Sequence, residues 1–128
     1  MTEFSTSEIS NLSTSIPMPK KLLPIVIIGA GGIVSDAHLP AYKKAGFSVL
    51  GIYDPVKEKA EKCAKYFDIK KIYSSEEEAL LETNAVFDIA VPPQVLLEVV
   101  KKIPENSICQ LQKPMGNSMQ DAAEIKKL

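Results

Sequence analysis

PIVIIGAGGIV, residues 24–34, sets the architecture that we expect for the whole chain. Its first half is short, wholly apolar and rich in β-branched residues, which is typical of a parallel strand buried on both faces. Glycines end this strand and match G-x-G-x-x-[G/A] at its first two positions, with Val34 at the third. A strand, a glycine turn and a helix in this order can bind a pyrophosphate through backbone N–H groups.

The rest of the chain alternates between strand and helix patterns. We predict further strands at 48–53, 72–73, 85–91 and 107–111, and helices at 32–45, 55–67, from 75, at 94–102, and from 117 or 118 to the C-terminus. This alternation predicts an α/β fold with a doubly wound parallel sheet of five strands and helices on both faces. Ligands bind to such sheets beyond the carboxyl ends of the strands, where the strand order reverses.

Five residues after the first two strands are the predicted cofactor contacts: Gly29, Gly31, Gly32, Ile33 and Asp54. Gly29 permits a turn closed to residues with a Cβ, and Gly31 lets the backbone approach the phosphates. Asp54 lies 25 positions after Gly29, close to the ~20 at which an acid accepts hydrogen bonds from ribose hydroxyls. A second interpretation makes Asp54 the N-cap of the following helix, and one side chain can serve both purposes.

The same carboxylate bears on the choice of cofactor. It would repel a 2′-phosphate, and the chain contains no arginine to compensate, so NAD is favoured over NADP. Lys57 and Lys59 keep NADP open as an alternative, although a solvated helix face explains them as well.

The ends of the fourth and fifth predicted strands supply the remaining site residues. Pro92 and Pro93 form a rigid corner that we expect to line the nicotinamide side of a crevice, although a plain turn is the alternative. Lys113 places an ammonium at the rim of the same crevice. Removal of hydride from a carbinol needs a proton acceptor, so Lys113 is the predicted catalytic residue, with a solvated surface lysine as the alternative.

Other chemistries find little support in the sequence. The only histidine, His38, stands apart from other metal-ligating residues, so we expect no metal site and interpret it as a core or capping residue. The motifs of triad hydrolases, P-loop NTPases and zincins do not occur.

Composition narrows the partners and the location. The formal net charge of −1 provides no basic field for nucleic acid or anionic lipid, and no apolar run approaches the ~18 residues of a membrane span. Cys63 and Cys109 indicate no disulfide framework, and the N-terminus resembles neither a secretory signal nor a basic transit peptide. We therefore expect a cytoplasmic protein without nucleic-acid or membrane partners.

Four ordered segments together resemble the N-terminal part of the glucose-fructose oxidoreductase, inositol dehydrogenase and rhizopine-catabolism (Gfo/Idh/MocA) family. They are IVIIGAGGIVSDAHLPAY (25–42), GIYDPVKEKA (51–60), AVPP (90–93) and QKPMG (112–116). The resemblance implies a Rossmann-type domain in an NAD(P)-dependent oxidoreductase acting on sugars, polyols or related hydroxy compounds. It places Lys113 near substrate and nicotinamide, and it implies that the Lys113–Pro114 bond is cis. A homo-oligomer is expected.

This sequence departs from the family pattern in two residues and in length. Gln112 stands where the family usually has Glu, and Val34 stands at the small third position of the glycine motif. We expect residues 1–20 to form a flexible Ser/Thr-rich arm and residues 21–128 to form an incomplete dinucleotide-binding domain. By comparison with the family we expect a sixth strand and a C-terminal substrate domain to be missing, the fifth strand to be an exposed edge, and the chain alone to be inactive.

Two other functions remain open at this stage. One is a non-catalytic module that binds NAD or docks to a partner. The other, weaker alternative is an S-adenosylmethionine-dependent methyltransferase, because that fold also combines a glycine-rich loop with an acid after the second strand.

Overall fold

A parallel sheet forms the centre of the molecule in the computed structural model, which describes residues 15–128. Its strands are β1 (Ile25–Ile28), β2 (Val49–Tyr53), β3 (Lys71–Ile72), β4 (Val86–Ile89) and β5 (Ile108–Leu111). They pair in parallel in the order β3-β2-β1-β4-β5. The predicted doubly wound α/β sheet of five strands is therefore confirmed, with the reversal of strand order between β1 and β4.

Helices connect the strands. They are a π-helical turn (Val34–His38) that continues into α1 (Leu39–Ala45), then α2 (Lys57–Phe67), α3 (Glu76–Leu80), α4 (Pro93–Lys102) and α5 (Met119–Ile125). The predicted helix over 32–45 is helical throughout, but its turn at Val34–His38 is π-helical, with the N–H of Leu39 bound to the carbonyl of Val34, five residues back. Pro40 accounts for the wider turn, because it has no N–H and its ring would collide with the carbonyl four residues earlier.

The sheet is covered on both faces. Ile25 and Ile27 belong to the core beneath α1 and α2, whereas Val26 and Ile28 belong to the core beneath α3, α4 and α5. Successive residues of a strand point to opposite faces, so a strand in the middle of this sandwich must be apolar throughout. The uninterrupted apolar run of β1 is the result.

β5 forms one edge of the sheet. Within the described part of the chain it pairs with β4 alone, and Ile108 at its start is 56% exposed. The predicted exposed edge is therefore present in the structure. The predicted N-terminal arm lies largely outside the described residues, and its residues 15–20 are exposed, without helix or strand.

Candidate cofactor site

The carboxyl ends of β1, β2, β4 and β5 surround a cleft of about 660 Å³ at the reversal of strand order. The predicted site residues that line it are Gly29, Gly31, Ile33, Asp54, Pro92, Pro93 and Lys113. Gly32 differs, because it lines a neighbouring groove between α1 and α2. Parallel pairing thus brings together segments that are far apart in the sequence.

The surroundings of Gly29 and Gly31, the first two glycines of the loop, differ. Gly29 has a φ of +106°, and a Cβ there would lie 2.2 Å from the carbonyl oxygen of Ala90 at the end of β4. The packing of β1 against β4 therefore requires glycine at this position. A Cβ on Gly31 would meet no protein atom within 4 Å, so the space beside it is available to a ligand.

The glycine loop also presents backbone donors. The N–H groups of Val34 and Ser35 bind the carbonyl of Gly31, each at 3.1 Å, and begin the helix. No acceptor from residues 15–128 binds the N–H groups of Gly31, Gly32 or Ile33. Unpaired donors at the start of a helix, together with the helix dipole, favour an anion such as a phosphate.

The carboxylate of Asp54 joins the end of β2 to this loop. Its Oδ2 accepts the N–H of Ala30 at 2.7 Å, and its Oδ1 accepts the N–H of Val56 at 2.8 Å. The interpretation of Asp54 as a helix N-cap is wrong, since α2 begins at Lys57 and Val56 is its N-cap. Each carboxylate oxygen keeps a further lone pair for a ligand.

Apolar side chains on the wall of the cleft were missed at the level of sequence. Val56 is 45% exposed and Val95 is 44% exposed, and both line the cleft beside Ile33, which is 47% exposed. Burial raises the pKa of Tyr53, also on this wall, and the nearby carboxylates of Glu76, Glu77 and Asp54 raise it further, so the phenol stays protonated. Such surfaces suit the flat faces of heterocyclic rings.

Three lysines line the cleft, and their partners distinguish them. Lys102 binds Glu76 with its Nζ 2.7 Å from Oε1. Lys59 and Lys113 form no ion pair with any residue of the described chain. Lys113 therefore has a free ammonium group at the β5 side of the cleft. The Lys113–Pro114 bond is cis, as the family resemblance implied.

A buried polar cluster lies behind the cleft. Asp88 of β4 is fully buried, and its Oδ2 lies 2.8 Å from both His38 Nδ1 and the Tyr42 hydroxyl. His38 Nε2 lies 3.1 Å from the side-chain nitrogen of Gln112. Reasoning from sequence missed the cluster, although a carboxylate inside the apolar strand β4 was a signal. The side chain of His38 is 13% exposed, and although His38 is the N-cap residue of α1, its ring makes no capping hydrogen bond.

Between residues 15 and 128, no three His, Cys, Asp or Glu side chains come together in a way that could hold a metal ion. None of the helices described there is both long and apolar enough to cross a membrane.

The strand order, the glycine loop and the acid at the end of β2 together define a dinucleotide-binding domain of the Rossmann type. The profile of the Gfo/Idh/MocA oxidoreductases, a family with an NAD-binding Rossmann fold, matches residues 23–128. The chain belongs to this family.

Similar proteins are consistent with this assignment and are much longer. The chain is 30% identical over 112 residues to the uncharacterized protein YMR315W of Saccharomyces cerevisiae, a match over 83% of this chain and 32% of that protein. The myo-inositol dehydrogenase of Lactobacillus casei, solved with NAD(H) and myo-inositol, superposes with a TM-score of 0.76 at 18% identity, over 84% of this chain and 33% of that one. An oxidoreductase of Thermotoga maritima superposes with a TM-score of 0.77 at 21% identity, over 84% and 34%.

A third solved structure, the UDP-N-acetylglucosamine 3-dehydrogenase of Acidithiobacillus ferrooxidans, superposes with a TM-score of 0.71 at 19% identity, over 84% of this chain and 33% of that enzyme. At such identities the superpositions establish the fold. The chain spans about a third of the length of the relatives it matches.

Proposed function

We propose that the cleft binds NAD and that the chain is the cofactor-binding part of an oxidoreductase. The enzyme transfers hydride between NAD and a sugar, polyol or related hydroxy compound. The observation that carries the proposal is the placement of Asp54 and Lys113 on opposite sides of one cleft, with the glycine loop between them. Membership of an oxidoreductase family supports the redox chemistry. The myo-inositol bound to the Lactobacillus casei enzyme supports the substrate class.

The sheet sets the distance that a ligand must span. Asp54 follows β2 and Lys113 follows β5, with β1 and β4 between them. Three strand spacings of ~4.8 Å separate the two strand ends by roughly 14 Å. An extended dinucleotide fits this arrangement with its adenosine ribose at Asp54, its phosphates at the glycine loop and its nicotinamide toward β4 and β5.

Different residues of the cleft bind the cofactor and transfer the proton. NAD, when bound, supplies the hydride acceptor. The N–H groups of Gly31 and Ile33 hold the phosphates, with the N–H of Gly32 beside them at the border with the neighbouring groove, and Asp54 accepts hydrogen bonds from the ribose. Pro92 and Pro93 form a wall beside the nicotinamide that leaves no backbone donor unpaired. Only the neutral amine of Lys113 has a lone pair, and in that form its Nζ would take the proton that the substrate hydroxyl releases as its carbon gives up hydride.

The preference for NAD follows from the carboxylate at the ribose end. Asp54 repels a 2′-phosphate. Lys57 Nζ lies 3.4 Å from Glu61 Oε1, so the charge of Lys57 is partly balanced. Lys59 is unpaired in the described chain and borders both the cleft and the neighbouring groove, so it is the residue that NADP would use.

Fluorescence titrations with NADH and NADPH test this preference directly. We expect the 128-residue chain to bind NADH more tightly than NADPH. In Asp54→Ser the difference between the two affinities should be smaller. Lys59→Ala serves as the matched control and should leave NADH binding unchanged. Tighter binding of NADPH that Lys59→Ala abolishes would instead establish the NADP alternative.

Catalysis is tested in a chain that continues into a substrate domain. Turnover of a polyol with NAD, followed at the nicotinamide absorbance, should fall far more in Lys113→Ala than NADH affinity does. Binding without turnover of any polyol or sugar would favour the non-catalytic module instead. Equal losses of turnover and affinity would contradict the role of Lys113 as proton acceptor.

The methyltransferase alternative loses its basis, because the family that matches residues 23–128 is one of oxidoreductases. A thermal-shift comparison should show stabilisation by NADH and none by S-adenosylmethionine. A homo-oligomeric state and a cytoplasmic location stay predictions.

A further inference from the structure

A continuous line of side chains runs from the buried strand β4 to the main chain of Lys113. Asp88 Oδ2 lies 2.8 Å from His38 Nδ1, and His38 Nε2 lies 3.1 Å from Gln112 Nε2. The other end of the same amide, Gln112 Oε1, accepts the backbone N–H of Lys113 at 2.7 Å. His38 and Gln112 each use one side-chain atom toward the residue before and another toward the residue after. The orientation of each side chain therefore constrains that of the next.

Donors and acceptors along this line fix the protonation of the histidine. Gln112 Oε1 must face Lys113, because the backbone N–H there only donates, and the NH2 group of the amide therefore faces the ring. An NH2 group also only donates, so Nε2 of His38 must be the unprotonated acceptor. The ring hydrogen then sits on Nδ1 and is donated to Asp88. The neutral Nδ1–H tautomer satisfies all three contacts, and no other form does.

We propose that His38 is a positioning residue that, as this neutral tautomer, orients the Gln112 amide and through it the main chain of Lys113 at the cleft. The importance of this for catalysis rests on the proposed function of Lys113, but the coupling itself does not. Protonation at His38 Nε2 would place its N–H opposite the NH2 group of Gln112, and two donors cannot form a hydrogen bond. The Gln112 amide would then turn away, and the Lys113 N–H would lose its acceptor. The position of Lys113 therefore depends on the proton occupancy of a residue that lies 74 positions from Gln112 in the sequence.

Titratable and polar groups from several elements face the ring or lie close to it. Burial raises the pKa of the Tyr42 hydroxyl, and its hydrogen bond to Asp88 raises it further, so Tyr42 of α1 remains a donor to the shared oxygen. Asp36, on the same turn as His38, accepts the Ser35 hydroxyl at 2.7 Å. From the segment after β5 the ring is faced by the neutral amide of Gln112, which the cationic Lys113 follows.

Asp88 anchors this series of hydrogen bonds in the core. Within residues 15–128 its Oδ1 is buried and has no hydrogen-bond partner, so its interactions concentrate on Oδ2. A buried carboxylate with one satisfied oxygen holds its two donors firmly, because the loss of either leaves more of its charge unpaired.

Nitrogen-15 NMR of the 128-residue chain without nucleotide tests the proposal, and the single histidine makes the ring signals unambiguous. We expect the Nδ1–H tautomer at neutral pH. On acidification, the Lys113 amide and the Gln112 side-chain NH2 signals should shift with the same midpoint as the ring. An Nε2–H tautomer, or a Lys113 amide that does not follow the ring, would overturn the proposal.

Two isosteric variants separate this coupling from general electrostatics. In Gln112→Glu a carboxylate accepts from both Nε2–H and the Lys113 N–H, so the ring should stay protonated to higher pH and the Lys113 amide should no longer respond to its titration. Gln110→Glu adds the same charge on β5, where the Gln110 side chain forms, within residues 15–128, a single hydrogen bond, from its Nε2 to the Tyr42 hydroxyl at 3.5 Å. Equal effects of the two variants would refute the specific role of Gln112.

NADH titration of the same samples separates this proposal from the proposed function. A chain with the coupled ring and amide but without NADH binding would contradict the function alone. A chain that binds NADH but lacks the coupling would contradict the positioning role alone.

Discussion

Gly29 and Gly31 stand two positions apart in the loop, and the protein around them constrains only one of them. Gly29 combines a positive φ with the close carbonyl of Ala90, whereas Gly31 borders open space. The first glycine therefore serves the fold and the second is free to serve a ligand. Substituting alanine at each position separates the two roles.

Gly29→Ala should destabilise the domain. The backbone conformation costs about 1–3 kcal/mol for a residue with a Cβ, and relief of the contact with Ala90 adds to that. Urea denaturation followed by circular dichroism measures the loss of unfolding free energy. A variant as stable as the parent chain would contradict the packing of β1 against β4.

Gly31→Ala should leave stability nearly unchanged and weaken NADH binding. Its methyl group meets no protein atom, but it occupies the space through which the phosphates approach the loop. When both are measured on one preparation, the Tm should therefore stay close to that of the parent chain while the affinity for NADH falls. Unchanged affinity would place the phosphates elsewhere in the cleft.

Among the secondary-structure elements, α3 is short and depends on its N-terminal hydrogen bonds. The Ser75 hydroxyl oxygen accepts the N–H of Glu78 at 3.0 Å, and the Glu78 carboxylate accepts both the N–H and the hydroxyl of Ser74 at 2.7 Å. Ser75, the N-cap, thus satisfies a donor that the helix leaves unpaired, and the Glu78 carboxylate binds Ser74, one residue before the N-cap. α3 spans only Glu76–Leu80 yet contributes the buried Ala79 and Leu80 to the core.

Ser75→Ala should lower the free energy of unfolding by about 1 kcal/mol, because it removes the acceptor for the N–H of Glu78. Thermal denaturation gives the corresponding fall in Tm. Ser107→Ala is a suitable control, since its hydroxyl bonds only to a nearby carbonyl in a surface turn. Equal effects of both variants would argue against the cap.

The same cap predicts a pH dependence. Hydrogen bonds from the hydroxyl and then the backbone N–H of Ser74 lower the pKa of Glu78 in the folded chain. The stabilisation is therefore fully present above the unfolded value of ~4.3 and is lost as the pH falls through the folded value. Glu78→Gln should be less stable than the parent chain at pH 7 and should approach it in acid. A constant difference across this range would contradict the assignment.

At the scale of the whole molecule, we expect association, if it occurs, at β5, which is an edge of the sheet in the described residues. Ile108 is 56% exposed and Cys109 is also exposed, beside unpaired backbone groups that can pair with another strand. The expected homo-oligomer is therefore most readily formed along this edge.

Ile108→Lys should reduce concentration-dependent association in sedimentation velocity, because a charge on an edge strand opposes pairing with a second copy. Tyr66→Lys adds the same charge at an 81% exposed position on α2 and should have no effect. Association that survives Ile108→Lys would place the contact on another surface.

Local patterns in the sequence predicted the fold, because the signals concerned act over a few residues. The apolar run before Gly29 lies within one strand, and the predicted helix starts at 75 and at 117 or 118 each depend on the few residues around them. Strand ends from distant parts of the chain must meet once the strands are parallel, so Asp54 and Lys113 could be assigned to one cleft. Element boundaries were less exact, as in β4, which is shorter than the predicted 85–91.

Tertiary contacts alone separated Gly31 from Gly32 and assembled the cluster of Asp88, His38 and Gln112. Asp88 and His38 are 50 positions apart, and no local pattern relates them. Their pairing arises because β4 lies beside β1, which brings a buried carboxylate under the helix that follows the glycine loop. Hydrogen-bond partners and burial depend on which elements pack together, and a linear pattern of residue types does not contain that information.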